Sequence, residues 1–150
     1  MAMPPEENAI VVQRFWEEVF NQGNLDVADE IIASYHVLHD TSNPDFASGP
    51  EGTKQLVAKW RGAFPDVYFA IEDQIVEGET VVHRWTASGT HSGEPVANIE
   101  PSGTRVTVTG ITISRVSGGQ IEETWNVFDS GYLLFQLGYF GNVDFRWPIW

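Results

Sequence analysis

The apolar residues of this chain change their period near residue 67, and that change dictates most of what it can fold into. Before it, Val12, Phe15, Trp16 and Val19, and later Leu56, Val57 and Trp60, recur at helical spacing. After it, Val67, Phe69 and Ile71 alternate with Tyr68, Ala70 and Glu72 in the two-residue repeat of a strand. Helices first and sheet afterwards is an α+β order, in which the helices cover one face of a curled sheet.

Local signals divide the two halves. The first helix begins after Pro4-Pro5 and stops at Asn21-Gln22-Gly23. Asn24 is suited to cap a second, shorter helix in which Leu25, Ala28, Ile31 and Ile32 face inward, and Tyr35 to Asp40 reads as a short strand. Thr41 to Gly49 is a loop, Pro50 opens a third helix, and Phe64-Pro65-Asp66 ends it. Strands are expected from Val67, over Val81 to Thr90, over Thr104 to Val116 and over Ile121 to Asp129, a four-stranded antiparallel meander with a long loop at His91 to Gly103. Ser130 opens a last short helix that Gly138 closes. One domain spanning 1–150 is expected, with an aromatic tail from about residue 139 (Tyr139, Phe140, Phe145, Trp147, Trp150) packed on its own domain or on a neighbour.

Composition narrows the function classes. Twenty-one acidic residues against eight Lys plus Arg give a formal charge of -13. Nucleic acids and anionic membranes are polyanions, so neither is an expected partner. The absence of cysteine removes disulfides, thiolate metal sites and thiol nucleophiles. The first residues lack a basic start and an apolar run, and no later stretch is long enough to cross a bilayer, so a cytoplasmic protein is expected. Aromatic residues make up 13% of the chain, enough for a large core or for a pocket that takes a hydrophobic small molecule.

Seven short segments occur in a telling order: Asn21-Gln22-Gly23-Asn24-Leu25-Asp26, Val37-Leu38-His39-Asp40, Gly49-Pro50-Glu51-Gly52, Ala63-Phe64-Pro65-Asp66, Gly89-Thr90-His91-Ser92-Gly93, Pro101-Ser102-Gly103 and Trp125-Asn126-Val127-Phe128-Asp129. In this order they resemble the SnoaL-like polyketide and ester cyclases of the NTF2-like superfamily, over roughly Asn8 to Gly138. The resemblance implies a cone of N-terminal helices on a strongly curved antiparallel sheet enclosing a pocket, commonly paired as a homodimer through the outer sheet face. It also implies general acid/base chemistry without a cofactor on a polyketide-like carbonyl compound. The catalytic aspartate of the family matches Asp129, and His39 and His91 match recurring histidines.

Alternation places Glu123, Trp125, Val127 and Asp129 on one strand face. If that face lines the cone, Asp129 is a desolvated base beside Trp125; otherwise it caps the last helix. His91 and His39 are candidates to polarise a carbonyl or hold Asp129 in place, while His36 and His83 match no motif and are expected to face solvent or core. Trp16, Tyr35, Trp85 and Trp125 are the expected pocket-lining aromatics. Arg84 and Arg115 are possible supporting groups on the long strands. No metal site is expected, because His36, His39, Asp40 and Asp129 do not match a strong ligand spacing. Two alternatives stand beside the cyclase reading: a non-catalytic binding or dimeric scaffold module, and an epoxide-hydrolase-like site. The latter lacks its second carboxylate, since Thr86 follows Arg84 at the required spacing.

Overall fold

The computed structural model describes residues 2–141 and has the expected α+β architecture. In chain order it runs α1 (Pro5–Arg14), a π-helical continuation (Phe15–Asn21), α2 (Asp26–Ile31), β1 (Ile32–Asp40), α3 (Pro50–Ala63), β2 (Tyr68–Glu77), β3 (Thr80–Thr90), β4 (Arg105–Ser117), β5 (Gln120–Phe128) and α4 (Ser130–Gln136). Phe145, Trp147 and Trp150 of the expected aromatic tail lie outside the described residues. Among the described residues no helix is long and apolar enough to cross a membrane.

The first helix changes its winding for a reason visible in its side chains. Buried pairs fall at Val11 and Val12, Phe15 and Trp16, and Val19 and Phe20, a period of four residues. Such a stripe drifts around an α-helix of 3.6 residues per turn. The wider i→i+5 turn absorbs the drift, as in the bonds from Gln22 N to Glu17 O (3.0 Å). α2 begins at Asp26 without the side-chain cap expected from Asn24.

The sheet has five strands in the order β1-β5-β4-β3-β2. Strands β2 to β5 form the expected antiparallel meander, and β1 adds a parallel edge strand on β5. Two irregularities meet at the β5 edge. Opposite β4, Ile121 pairs with Val116 while Glu123 pairs with Arg115, so Glu122 is an extra residue in β5. Opposite β1, the register runs from Ile32–Ile121 to Val37–Glu123, which leaves residues 33–36 of β1 bulged. The consequence for side-chain direction is large. Ile121 points inward, but from Glu123 onward the inward residues are Thr124 and Asn126, and Trp125 and Val127 face out.

The inner face is closed by an aromatic mesh. Phe69 lies 5.4 Å from Trp16, 4.3 Å from Phe20, 5.5 Å from Trp60 and 5.0 Å from Trp85, ring centre to ring centre. Trp85 of β3 pairs with Gly110 of β4, and its indole lies over that glycine: a Cβ there would stand 2.2 Å from the ring. We therefore expect Gly110→Ala to destabilise the fold by about 2–3 kcal/mol, as over-packing does. Adding Trp85→Phe should recover part of the loss, giving clear non-additivity in a chemical-denaturation double-mutant cycle. Additive effects would show that the ring does not press on this position.

Candidate functional site

The inner face of the sheet carries more than aromatic rings. Trp85 Nε1 donates to Thr112 Oγ1 (2.9 Å), Thr112 Oγ1 donates to Asn126 Oδ1 (2.7 Å), and Asn126 Nδ2 donates to Asp40 Oδ2 (2.9 Å). The other oxygen of Asp40 accepts from Ser42 N (2.9 Å). The indole N–H at one end can only donate and the Asp40 carboxylate at the other can only accept, so the Asn126 amide turns its nitrogen to Asp40 and its oxygen to Thr112. Asp40 is the only acidic side chain that is buried among the described residues. Both of its oxygens are taken, and it anchors the loop that follows β1.

Two buried histidines flank this chain. His83 Nδ1 accepts from Trp16 Nε1 (3.0 Å), so His83 carries its proton on Nε2 and donates to Gln74 Oε1 (2.8 Å). His36, 1% exposed, shares a 2.9 Å hydrogen bond between Nε2 and Thr124 Oγ1. Burial drives both histidines down to about pKa 4.

Two spaces open among these elements. A small inner cavity of about 20 Å³ is walled by Trp16, Trp60, Trp85, His36, Thr124 and Asn126, among others. A larger cleft of about 470 Å³ lies between α3, α4 and the loops after β1 and β3, with Phe64, Val96, Phe128 and Leu133 in its walls. Trp60 lines both spaces, and its ring sits 5.3 Å from that of Phe128. Among the described residues that line the cleft, Lys59 is the only cation and Glu94 the only anion. Lys59 Nζ donates to Asn43 Oδ1 (2.5 Å).

The expected site residues are only partly brought together. Trp16 and Trp85 line the inner cavity. Asp129 is exposed, and its Oδ1 accepts from Tyr132 N (3.0 Å) as the cap of α4, the alternative to a desolvated base in the cone. Its chain neighbours Phe128 and Ser130 line the cleft, whereas Asp129 itself does not. Trp125 is 38% exposed on the outer face because the extra residue Glu122 reverses the count from Ile121. His39 lies out there with it, stacked on the Trp125 ring at 5.2 Å and bonded to Glu123 (2.7 Å). Tyr35 belongs to the bulged part of β1, is 63% exposed and donates to Glu122. Arg115 pairs with Glu122 and Glu123 on the same face, and Arg84 pairs with Asp73, both exposed. Among the described residues no group of three His, Cys, Asp or Glu side chains is arranged to hold a metal ion.

His91 is buried, but as a joint in the backbone and not in either cavity wall. Its N–H donates to Thr104 O, its Nε2 bonds Glu94 O (2.9 Å), and its ring lies 5.5 Å from Phe64. Gly93 N and Glu94 N bond the carbonyls of Ala63 and Gly62 at the end of α3. A Cβ on Gly93 would stand 1.9 Å from Gly62 O. Asp66 accepts from both N and Oγ1 of Thr90 (2.6 and 2.8 Å). Two motifs of the sequence, Ala63-Phe64-Pro65-Asp66 and Gly89-Thr90-His91-Ser92-Gly93, are thus two halves of one lock that fixes the cleft wall.

Helices on the concave face of a bent sheet, closing over an aromatic and partly polar interior, define a cone of the NTF2-like class. The chain belongs to the SnoaL-like polyketide cyclase family, whose profile matches residues 10–137. No curated protein sequence matches it significantly. Among solved structures it is similar to TsrD from Streptomyces laurentii, with a TM-score of 0.80 and 26% identity over 91% of this chain and 98% of that one. It is also similar to a protein provisionally described as a polyketide cyclase from Acidithiobacillus ferrooxidans (TM-score 0.79, 28% identity, 89% and 95% coverage). IdmH from Streptomyces antibioticus, likewise provisionally described as a polyketide cyclase, gives 0.74 and 30% identity over 87% and 98% of the two chains.

The depressed histidines make stability depend on pH. Unfolded histidine binds a proton near pH 6.5, whereas His36 and His83 in the fold resist doing so until about pH 4. Their contribution is fully present above pH 6.5 and is lost as the pH falls through this window. Between pH 7 and pH 5 each should cost about 2 kcal/mol of unfolding free energy. His83→Gln, which can still accept from Trp16, should remove roughly half of the combined loss. Equal pH slopes in urea titrations of the two proteins would refute the assignment.

Proposed function

We propose that this chain binds a hydrophobic carbonyl compound of polyketide type in the cleft and rearranges it, by aldol cyclisation or isomerisation, through general acid/base catalysis without a cofactor. The cleft carries the reading. Its volume of about 470 Å³ falls in the range of small-molecule sites, with apolar walls and polar groups few and local. Membership of the SnoaL-like polyketide cyclase family supports a cyclase-type role.

The chemistry needs a base at an α-carbon and a hydrogen-bond partner for the carbonyl oxygen. Asp40 is committed to Asn126 and Ser42, so the base falls to Asp129, whose chain neighbours Phe128 and Ser130 line the cleft. A second reading is favoured by one observation: Asp129 is exposed and serves as a helix cap, which suits a binding module without catalysis. The epoxide-hydrolase alternative loses support because Arg84 pairs with Asp73 and neither lines a cavity.

The outer sheet face supports the proposal of a homodimer. Val37, Ile75, Ile111, Ile113, Trp125 and Val127 are exposed large apolar side chains on this face. A patch of this kind marks an interaction surface. Trp125→Glu with Val127→Glu should convert a dimer to monomer in sedimentation without loss of secondary structure; a wild-type monomer at micromolar concentration would sink this part of the proposal.

Deuterium exchange at the α-carbon of 1-tetralone tests the catalytic reading. The protein should accelerate exchange over buffer, and Asp129→Asn should slow it by about a hundredfold or more while binding, followed by tryptophan fluorescence, is retained. Binding without exchange would establish the module reading instead, and absence of both would overturn the ligand assignment.

A further inference from the structure

Among the described residues, Asn8 Oδ1, His36 Nδ1 and His91 Nδ1 are buried without a hydrogen-bond partner, and of these three residues only His36 lines either of the two cavities. Nε2 is engaged by Thr124, but Nδ1 is buried and has no hydrogen-bond partner. The imidazole is 1% exposed and lines the inner cavity. An unpartnered buried nitrogen costs roughly 1–3 kcal/mol, so the fold keeps it against a steady penalty. The cavity beside it, about 20 Å³, has room for one oxygen atom with its immediate shell, and not for a ring system. Its wall at Trp60 is also a wall of the ligand-sized cleft.

We propose that the inner cavity is an oxygen subsite for the same ligand that fills the cleft: Trp60 turns aside, and His36 Nδ1 hydrogen-bonds a carbonyl or hydroxyl oxygen of that ligand. The inference rests on the cleft being the ligand site. The chemistry of the subsite selects an uncharged oxygen. Burial holds the imidazole neutral at physiological pH, and no Lys or Arg lines the cavity, so a carboxylate or phosphate would be buried without compensation. Thr124 Oγ1 can accept from Nε2–H or donate to bare Nε2, which leaves Nδ1 free to serve as acceptor or donor. The pair therefore suits both the keto and the enol form of one oxygen, the two species an enolisable ketone must pass between.

Two probes of equal shape separate this subsite from the cleft: 1-tetralone, which has the oxygen, and tetralin, which does not. In the wild-type protein labelled with 15N-histidine, 1-tetralone should change the Nδ1 resonance of His36 and tetralin should not. Both probes should shift the methyl groups of Ala58, Leu133 and Leu134 in the cleft. The affinity ratio of ketone to hydrocarbon should fall by up to about tenfold in His36→Leu, with tetralin binding unchanged. If the cleft methyls respond to 1-tetralone and the His36 resonance stays still, the cavity holds no more than water and the inference is overturned. If neither probe moves any resonance, it is the cleft assignment that fails, and the subsite falls with it.

Discussion

The indole of Trp85 is held from both sides, and much of the molecule follows from how. Its ring needs the bare backbone of Gly110 on the neighbouring strand, and Phe69 and Trp16 cover it from the helical side. Its N–H can only donate and the Asp40 carboxylate can only accept, so Thr112 and Asn126 between them take a single order. Asp40 in turn fixes the start of the loop that delivers Ser42 and Asn43 to the cleft. A packing contact in the deepest layer thus decides the shape of a surface opening. Buried polar chains of this kind specify one arrangement because a half-satisfied version is costly.

The fold was legible because periodicity was. Helical spacing gave α1 to α3 and alternation gave the meander, within a residue or two at most ends. Site geometry was less accessible for a physical reason. Counting by twos from Ile121 puts Trp125 and Asp129 inside, and the single extra residue Glu122 reverses that parity. The same region displaces residues 33–36 of β1, which throws Tyr35 outward while His36 stays in. A signal was present in the opposite parity: Thr112, Thr124 and Asn126 are polar residues on strands otherwise rich in apolar ones, and Asp40 shares the parity of His36 and Leu38. Short motifs misled in another way. Gly89-Thr90-His91-Ser92-Gly93 has a histidine where chemistry is expected, yet Thr90 holds the Asp66 carboxylate, His91 the Glu94 carbonyl and Gly93 the end of α3.

The two faces of the sheet divide the work. The inner face carries neutral hydrogen-bonding groups among rings, and its histidines are kept uncharged by burial. The outer face carries the ion pairs of Arg115 with Glu122 and Glu123 and of Arg84 with Asp73, between exposed isoleucines and Trp125. Apart from Asp40, whose two oxygens are held by Asn126 and Ser42, the charged groups of the sheet lie on the side where water or a partner can meet them. For a protein with a net charge of -13, that separation leaves the interior suited to ligands that are themselves neutral.

The π-helical continuation of α1 has a bearing on how such a chain can vary. Its wide turn keeps Val11, Val12, Phe15, Trp16, Val19 and Phe20 on one side of the helix. A wide turn holds more chain than an α-turn for nearly the same rotation, so deleting one residue from Phe15–Asn21 while restoring regular α-winding would leave Val11 and Val12 on the core side and Asn8 within reach of Gly78 O at the far turn of the sheet. The segment can therefore lose a residue without turning the rest of the helix, a tolerance usually met only in loops.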